Sequence, residues 1–249
     1  MQYGICNLSI VPLRFEASDA SELVSQVLYG DIFKVLEHRK SWSKIRLAFD
    51  KYEGWVDNKQ YSELTEEQYT DLSSQPLQLT TDLVDFIQDN DKQLYTIPMG
   101  SVLNGTELLN HTFEGHSSCA INDKSTIIGT AFSYINAPYL WGGKTPFGID
   151  CSGFTQMVYK LNGYALLRDA SQQAMQGEPL SFIEESEPGD LAFFDNNEGV
   201  ITHVGIIMQD NYIIHAHGKV RIDRLDHSGI YNVDTRKHTH KLRVIKKII

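Results

Sequence analysis

Residues 139–154 read YLWGGKTPFGIDCSGF, and this stretch decides how the second half of the chain folds. It places glycines and one proline around a single cysteine, Cys151. Apolar residues then recur at helical spacing at Phe154, Val158 and Leu161, and Gly163 stands where helices commonly end. The pattern predicts a helix over residues 151–162 with Cys151 in its first turn.

A cysteine in the first turn of a helix is a candidate nucleophile. Unpaired backbone N–H groups and the helix dipole favour an anion there, which lowers a thiol's pKa. Gly142, Gly143 and Gly148 leave the approach to the sulfur free of side chains. The same N–H groups can receive a developing oxyanion. The alternative is a buried cysteine that only packs at a helix start.

A thiolate nucleophile needs a base, and residues 202–220, THVGIIMQDNYIIHAHGKV, supply three histidines on a predicted β-hairpin. A three-residue loop, 209–211, pairs His203 opposite His217. A five-residue loop, 207–211, pairs it opposite His215. Opposite Cβ atoms lie about 5 Å apart, so either pairing allows a ring–ring hydrogen bond.

Cys151 and two of these histidines also make a possible zinc set. The sequence offers no evident fourth ligand, and a glycine-flanked helix start suits a nucleophile better than a metal ligand. We therefore expect neither a metal nor another cofactor.

Strand-like runs and turn signals over residues 4–61 predict a small all-β barrel or sandwich. A polar stretch ending at Pro76 predicts a short helix or linker, and residues 77–117 contain further strand-like runs. From residue 122 onward, an apolar stripe over 127–135 predicts a helix, the helix at Cys151 follows, and strands fill the rest. We therefore predict three segments, 1–62, 63–121 and 122–249, the last with an α+β fold.

The overall composition narrows the function. The 249 residues carry a net charge of −10, which argues against a nucleic-acid partner because no basic face would neutralise phosphates. Three cysteines without close spacing suit a reducing compartment. With neither a signal-peptide pattern nor an apolar run of membrane-spanning length, we expect a cytoplasmic monomer without a membrane partner, or an exported protein if a leader has been removed.

Six motifs together resemble the NlpC/P60 family of papain-like cysteine peptidases over residues 122–249: YLWGG, GIDCSGF, RDASQQ, EPGDLAFF, HVGIIM and IIHAHG. The resemblance implies a papain-like α+β domain. It also implies that Cys151 is the nucleophile, His203 the general base and His215 the third polar residue. By analogy, this choice of His215 favours the register with the five-residue loop. The reaction implied is hydrolysis of the amide between γ-D-glutamate and an L-diamino acid in peptidoglycan stem peptides.

The N-terminal strands, with SELVSQVLYGD and YEGWVD, look like a bacterial SH3 domain, and residues 77–117 look like a second, divergent one. An SH3-like module before such a catalytic domain is similar to the γ-D-glutamyl-L-diamino acid endopeptidases of the dipeptidyl-peptidase VI type. That similarity implies free peptides with an N-terminal L-Ala, from murein recycling, as substrates.

The resemblance also suggests substrate-binding residues. On the catalytic segment these are Tyr139, Asp150, Ser152 and Ser171. On the β module they are Glu22 and Tyr61. Arg168 is interpreted as a structural partner near Asp169, although it can also pair with a substrate carboxylate. Three other interpretations stay open at this point: a hydrolase of the intact wall, an acyl transferase, and an inactive protein that binds wall peptides.

Overall fold

The structure is a computed structural model that describes residues 2–249. The chain forms two compact units. The first runs to Ala120 and also contains Trp141–Pro146; the second consists of Ile121–Leu140 and Phe147–Ile249. The loop before Cys151 therefore belongs partly to the first unit, although its ends belong to the second.

An antiparallel sheet of seven strands forms most of the first unit, in the order β3-β2-β6-β5-β4-β1-β7. Its strands are β1 (Gln2–Ile5), β2 (Ile10–Arg14), β3 (Leu23–Leu28), β4 (Ile32–His38), β5 (Trp42–Leu47), β6 (Glu53–Asp57) and β7 (Ser62–Leu64). Alternate residues point to one side, so Val11 and Leu13 of β2 pack with Val27, Phe33 and Ile45 in a closed apolar core. This alternation is why the segment folds as strands.

Helix α1 (Glu66–Ser74) follows the sheet where a short helix or linker was predicted. Thr65 starts it with a capping box, since its side chain accepts from the Gln68 N–H and the Gln68 side chain accepts from the Thr65 N–H. The helix ends two residues before Pro76.

The strands predicted between residues 77 and 117 are present. A three-stranded sheet has the order β10-β9-β11 and a two-stranded ladder joins β12 to β8. The bounds are β8 (Leu79–Thr80), β9 (Val84–Asp89), β10 (Leu94–Pro98), β11 (His111–Phe113) and β12 (Ser117–Ser118), and the loop strand β13 is Lys144–Thr145. That these strands make a second SH3-like module stays a prediction.

Three α-helices lie in the second unit: α2 (Ile127–Phe132), α3 (Cys151–Leu161) and α4 (Ala170–Gln173). Helix α3 begins at Cys151 as predicted, and Gly163 follows its end with a positive φ of 87°. Residues 151–160 are all buried, so α3 is the central helix of this unit. Helix α2 is shorter than the predicted stripe and ends at Phe132.

The strands of the second unit form an antiparallel sheet in the order β15-β21-β16-β17-β18-β19-β20, and β20 also pairs with β21. The bounds are β14 (Gly148–Ile149), β15 (Glu178–Leu180), β16 (Leu191–Asp195), β17 (Ile201–Ile207), β18 (Tyr212–His217), β19 (Lys219–Asp226), β20 (Gly229–Asn232) and β21 (Lys237–Lys247). The extra pairing closes six strands into a barrel.

Barrel closure corrects the α+β prediction. The predicted order, helices first and antiparallel strands afterwards, is present, but strands hold 42% of the residues and helices only 16%, so the fold is strand-rich and not clearly α+β. The length of β21, 11 residues, allows the barrel to close because the strand can pair with both β16 and β20. Its residues from Lys241 onward pair with β16, while its first half pairs with β20.

Within residues 2–249, no helix combines the length and the apolar character that crossing a membrane requires.

Candidate active site

Cys151 lies at the start of α3 and is 6% exposed. Asp150 is the N-cap of the helix, and its carboxylate accepts from the Gly153 N–H at 2.6 Å. The Cys151 Sγ lies 4.0 Å from the carbonyl oxygen of Thr202, and the Val204 N–H points to the same sulfur. The sulfur therefore lies against β17, at the two residues that flank His203.

Burial raises the pKa of the Cys151 thiol to about 12, and the nearby charge of Asp150 adds to this effect. The Val204 N–H and the Arg168 charge oppose it without cancelling it. The helix start was expected to lower this pKa, and that expectation was wrong because loss of water outweighs the dipole of one helix turn. The resting sulfur is a thiol, so a base has to take its proton.

His203 lies in β17 and is 5% exposed. Its Nε2 is 2.8 Å from Nδ1 of His215. Burial, and then the nearby His215, His240 and His217, hold the pKa of His203 well below its usual value. The imidazole is therefore neutral near pH 7, which is the form that accepts a proton.

The strand register differs from the one that a five-residue loop requires. Ile206 pairs with Ile214 and Ile207 with Ile213, so residues 209–211 form the shorter connection. This register places His203 level with His217, yet the hydrogen bond goes to the diagonal neighbour His215. The ring centroids are 5.0 Å apart for His203 and His215, against 6.4 Å for His203 and His217.

Two charged residues that sequence reasoning missed continue the hydrogen-bond chain. The Asp223 Oδ2 lies 3.0 Å from Nε2 of His215 and accepts from the Arg221 Nε at 2.7 Å. Asp223 is fully buried; although burial alone would raise its pKa, hydrogen bonds from His215 and Arg221 lower it to about 2. The sequence does show an aspartate within a predicted strand. Pairing this aspartate with His215 required the register of β19 against β18, which the sequence does not give.

A third missed residue, His240 of β21, stacks on His203 with ring centroids 4.1 Å apart and an interplanar angle of 23°. Burial, and then the neighbouring His215 and His217, lower the pKa of His240 to about 3. His240 is therefore a neutral ring that covers one face of His203.

Arg168 was interpreted as a structural partner near Asp169, and the structure pairs its guanidinium with Asp150. Its Nη1 and Nη2 donate to the two carboxylate oxygens of Asp150 at 3.0 and 2.6 Å, and Nη1 also donates to Ser152 Oγ at 3.0 Å. Arg168 is 1% exposed. Asp150 thus joins the start of α3 to a buried guanidinium, and Ser152 belongs to the same network.

Tyr139 forms a parallel bridge with Ile149, just before the Asp150–Cys151 pair. Burial, and then the charges of Cys151 and Asp150, raise the pKa of Tyr139, so its hydroxyl stays protonated beside the sulfur. The structure therefore brings Tyr139, Asp150 and Ser152 together around Cys151. Ser171 instead lies exposed on α4.

The remaining predicted residues, Glu22 and Tyr61, belong to the first unit. Glu22 is exposed and accepts from the indole N–H of Trp141 at 2.7 Å. The Tyr61 hydroxyl lies 2.9 Å from the Ser43 Oγ. Both are held by the unit that contains the loop Trp141–Pro146.

Gly142 does not serve the role expected from the sequence. It has a positive φ of 76°, and a Cβ built on it would lie 2.4 Å from the carbonyl oxygen of Leu23. The glycine therefore allows close packing inside the first unit, rather than access to the Cys151 sulfur.

The zinc set considered from the sequence does not converge on one point. His203 and His215 bond to each other, and the second nitrogen of His215 faces Asp223. Over residues 2–249, no three side chains of the types His, Cys, Asp and Glu are grouped to hold a metal ion. Cys6, Cys119 and Cys151 are free thiols.

Comparison with known proteins finds similar sequences over most of the chain. Residues 136–239 match the NlpC/P60 family, and residues 13–60 match the bacterial dipeptidyl-peptidase SH3 domain. A similar protein is dipeptidyl-peptidase 6 of Lysinibacillus sphaericus, 28% identical over 83% of this chain and 85% of that protein. Another is the gamma-D-glutamyl-L-lysine dipeptidyl-peptidase of Bacillus cereus, 26% identical over 80% of this chain and 68% of the relative.

The fold also agrees with a solved structure. The crystal structure of an NlpC/P60 family protein from Bacillus cereus superposes with a TM-score of 0.78, covers 99% of both chains and is 20% identical. At that identity the likeness concerns the fold alone.

Proposed function

Because this chain is a cysteine peptidase of the NlpC/P60 family with a bacterial SH3 domain, we propose that it cleaves the γ-D-glutamyl–L-diamino acid bond of peptidoglycan stem peptides. The observation that carries the proposal is the position of the Cys151 sulfur against the strand residues that flank His203, whose imidazole is buried and neutral. The similar proteins, one of them named for γ-D-glutamyl-L-lysine, support the choice of bond.

The first chemical step is attack by the sulfur. Nε2 of His203 is engaged with His215, so Nδ1 takes the proton from Cys151 while Sγ attacks the γ-glutamyl carbonyl carbon. The carbonyl oxygen becomes an oxyanion. The Cys151 N–H and the Tyr139 hydroxyl are the proposed donors to it, and the raised pKa of Tyr139 keeps that hydroxyl a donor.

The second step breaks the amide bond, and the third restores the enzyme. Nδ1–H of His203 protonates the leaving nitrogen as the carbon–nitrogen bond breaks, which leaves a thioester on Cys151. Water then attacks the thioester, gives its proton to His203 and releases the glutamyl carboxylate, and His203 returns the proton to the sulfur. No further reactant is needed.

For substrate binding, we propose the residues named from the sequence: Tyr139, Asp150, Ser152 and Ser171, with Glu22 and Tyr61 for the substrate amine. Asp150 acts in this proposal through Arg168 and Ser152, because its carboxylate already accepts from Gly153 and Arg168. Beside Cys151, Ser152 and Tyr139 are the groups proposed to contact the peptide directly.

We further propose free L-Ala-γ-D-Glu-diamino acid peptides as substrates, a role in murein recycling, a cytoplasmic location and a monomeric state. The three free thiols support a reducing compartment. The proposed domain boundaries are 1–62, 63–121 and 122–249.

Product analysis tests the reaction. Purified protein is incubated separately with L-Ala-γ-D-Glu-L-Lys, with the diaminopimelate counterpart, with N-acetylated forms of both and with intact sacculi. We expect mass spectrometry to find L-Ala-γ-D-Glu and the free diamino acid from the unblocked peptides only. Cleavage of sacculi would instead indicate a wall hydrolase. Absence of cleavage in every sample would contradict the proposed reaction and favour a binding protein.

A further inference from the structure

The hydrogen-bond chain from the active site ends on a buried ion pair that the mechanism above does not use. Arg221 donates from Nε to Asp223 Oδ2 at 2.7 Å and from Nη2 to Oδ1 at 2.9 Å. The Val233 N–H also donates to Oδ1 at 3.1 Å, and Asp234 pairs with Nη2 of Arg221 at 2.8 Å. Asp223 is therefore an ionised carboxylate held by four donors, counting His215.

An ionised carboxylate only accepts hydrogen bonds, and this fixes the proton of His215. Asp223 requires a proton on Nε2 of His215, 3.0 Å away. Because His215 is buried and its pKa is lowered, mainly by burial, its ring is neutral and Nδ1 carries a lone pair. That lone pair faces Nε2 of His203 at 2.8 Å.

The same argument then fixes His203. Its Nε2 must donate to the lone pair of His215, so a neutral His203 carries its proton on Nε2 and a lone pair on Nδ1. Nδ1 is the nitrogen that the mechanism uses to take the thiol proton. With the opposite tautomers, Nδ1 of His203 would carry a hydrogen and could not act as the base.

We propose that Asp223, anchored by Arg221, is a positioning residue that holds both His215 and His203 as Nε2–H tautomers and keeps Nδ1 of His203 free to deprotonate Cys151. This inference deepens the proposed function and rests on it for the role of Cys151. Once His203 is protonated, the Asp223 carboxylate lies two hydrogen bonds away from the new positive charge. This negative charge stabilises the imidazolium.

The surroundings of the two rings offer no competing carboxylate among the described contacts. Cys151 of α3, His217 of β18 and His240 of β21 are the titratable groups beside them, together with Asp223 and Arg221 of β19. Strand β16 contributes the ring of Phe194, and α4 has the sequence ASQQ, which carries no charge. Asp223 is thus the acceptor that sets the tautomers.

Nitrogen NMR of the wild-type protein reads the tautomers directly. The protein is labelled with ¹⁵N-histidine, and the His203 and His215 signals are assigned with His203→Gln and His215→Gln. At pH 7 we expect both rings to show a protonated Nε2 and an unprotonated Nδ1. A protonated Nδ1 on either ring would overturn the proposal, and this reading needs no variant of Asp223.

The variant Asp223→Asn tests the consequence, because an amide can donate to His215 and allow the opposite tautomers. The readout is alkylation of Cys151 by iodoacetamide at pH 7, in a Cys119→Ala background that removes the exposed thiol. We expect alkylation to slow by at least about tenfold, with the His203 signals moving toward the Nδ1–H form.

Asp226→Asn is the matched control. Asp226 lies on the same strand β19 and accepts from Nε2 of His238 at 2.8 Å, but this exposed pair has no contact with the chain from Cys151. We expect its alkylation rate to stay within about twofold of the parent, as is usual for a surface substitution. A folded Asp223→Asn protein that alkylates at the parent rate would overturn the proposal.

Neither readout contains a peptide substrate, so failure of this inference and failure of the proposed function can be told apart. A protein that cleaves none of the peptides but shows the expected tautomers and alkylation rates contradicts only the proposed function. A protein that cleaves the tripeptide but shows a protonated Nδ1 on His203 contradicts only the role of Asp223.

Discussion

In the proposed mechanism, Cys151 and His203 start the reaction as a neutral pair. Burial holds the thiol pKa up, to about 12, and the imidazole pKa well below its usual value, so charge separation in the free enzyme is unfavourable. A thiolate–imidazolium pair therefore has to form as the sulfur attacks. The carboxylate of Asp223, reached through His215, favours that charged state and partly offsets its cost.

His240 has a different effect on the same base. It covers one face of the His203 ring and, with its own pKa near 3, stays uncharged through the ordinary working range. Its ring excludes water from His203 without adding a positive charge. His240 therefore helps to keep the base unprotonated.

The variant His240→Ala should move the acid limb of the pH–rate profile. Water reaches His203 in this variant, so the pKa of His203 rises toward 6.5. Since His203 must be unprotonated to accept the thiol proton, activity is then lost at a higher pH than in the wild type. We expect the acid limb of kcat/KM for the tripeptide to rise by about one pH unit.

His238→Ala is the control for this measurement, because His238 is an exposed histidine on the same strand β21. Its profile should overlay that of the wild type. An acid limb that stays in place, or moves to lower pH, in His240→Ala would contradict the role given to this ring.

At the scale of elements, the start of α3 depends on a buried ion pair as well as on the cap. Asp150 caps the helix and accepts two hydrogen bonds from Arg168, which is almost fully buried. Removing one partner of such a pair leaves the other charge without compensation in the interior. The position of Cys151 is thus coupled to Arg168, which lies seventeen positions further along the chain and outside the motif around Cys151.

We expect Arg168→Met to lower the free energy of unfolding by about 3–5 kcal/mol, because it removes the guanidinium that faces the buried Asp150 carboxylate. The double variant Asp150→Asn with Arg168→Met should be less destabilised than the sum of the two single variants, since neither charge then remains. Urea unfolding followed by circular dichroism measures all of these proteins.

Lys59→Met serves as the surface control, because the Lys59 side chain, which pairs with Asp57, is 84% exposed. It should unfold close to the wild type. Additive losses from the two single substitutions would show that Asp150 and Arg168 do not act as a pair.

At the scale of the whole molecule, local patterns predicted local features well. The apolar spacing after Cys151 predicted helix α3, and the alternation of apolar residues predicted the strands of both units. These features depend on residues that are close together in the chain, so a single sequence is enough to predict them.

Features that depend on pairing between distant strands were missed. The bond from His215 to Asp223 needs the register of β18 against β19, and the stacking of His240 on His203 needs barrel closure through β21. The raised pKa of Cys151 needs the packing around α3, because burial has no local sequence signature. Helix geometry alone therefore gave the wrong direction for that pKa.

The most direct test of the central claim is the rate of L-Ala-γ-D-Glu-L-Lys cleavage by Cys151→Ala, with the exposed-cysteine variant Cys119→Ala measured beside it. If Cys151 is the nucleophile, its removal should lower the rate by at least about 10⁴-fold while circular dichroism stays that of the wild type. Cys119→Ala should keep the wild-type rate. Cleavage by Cys151→Ala at a rate comparable with the wild type would contradict the account.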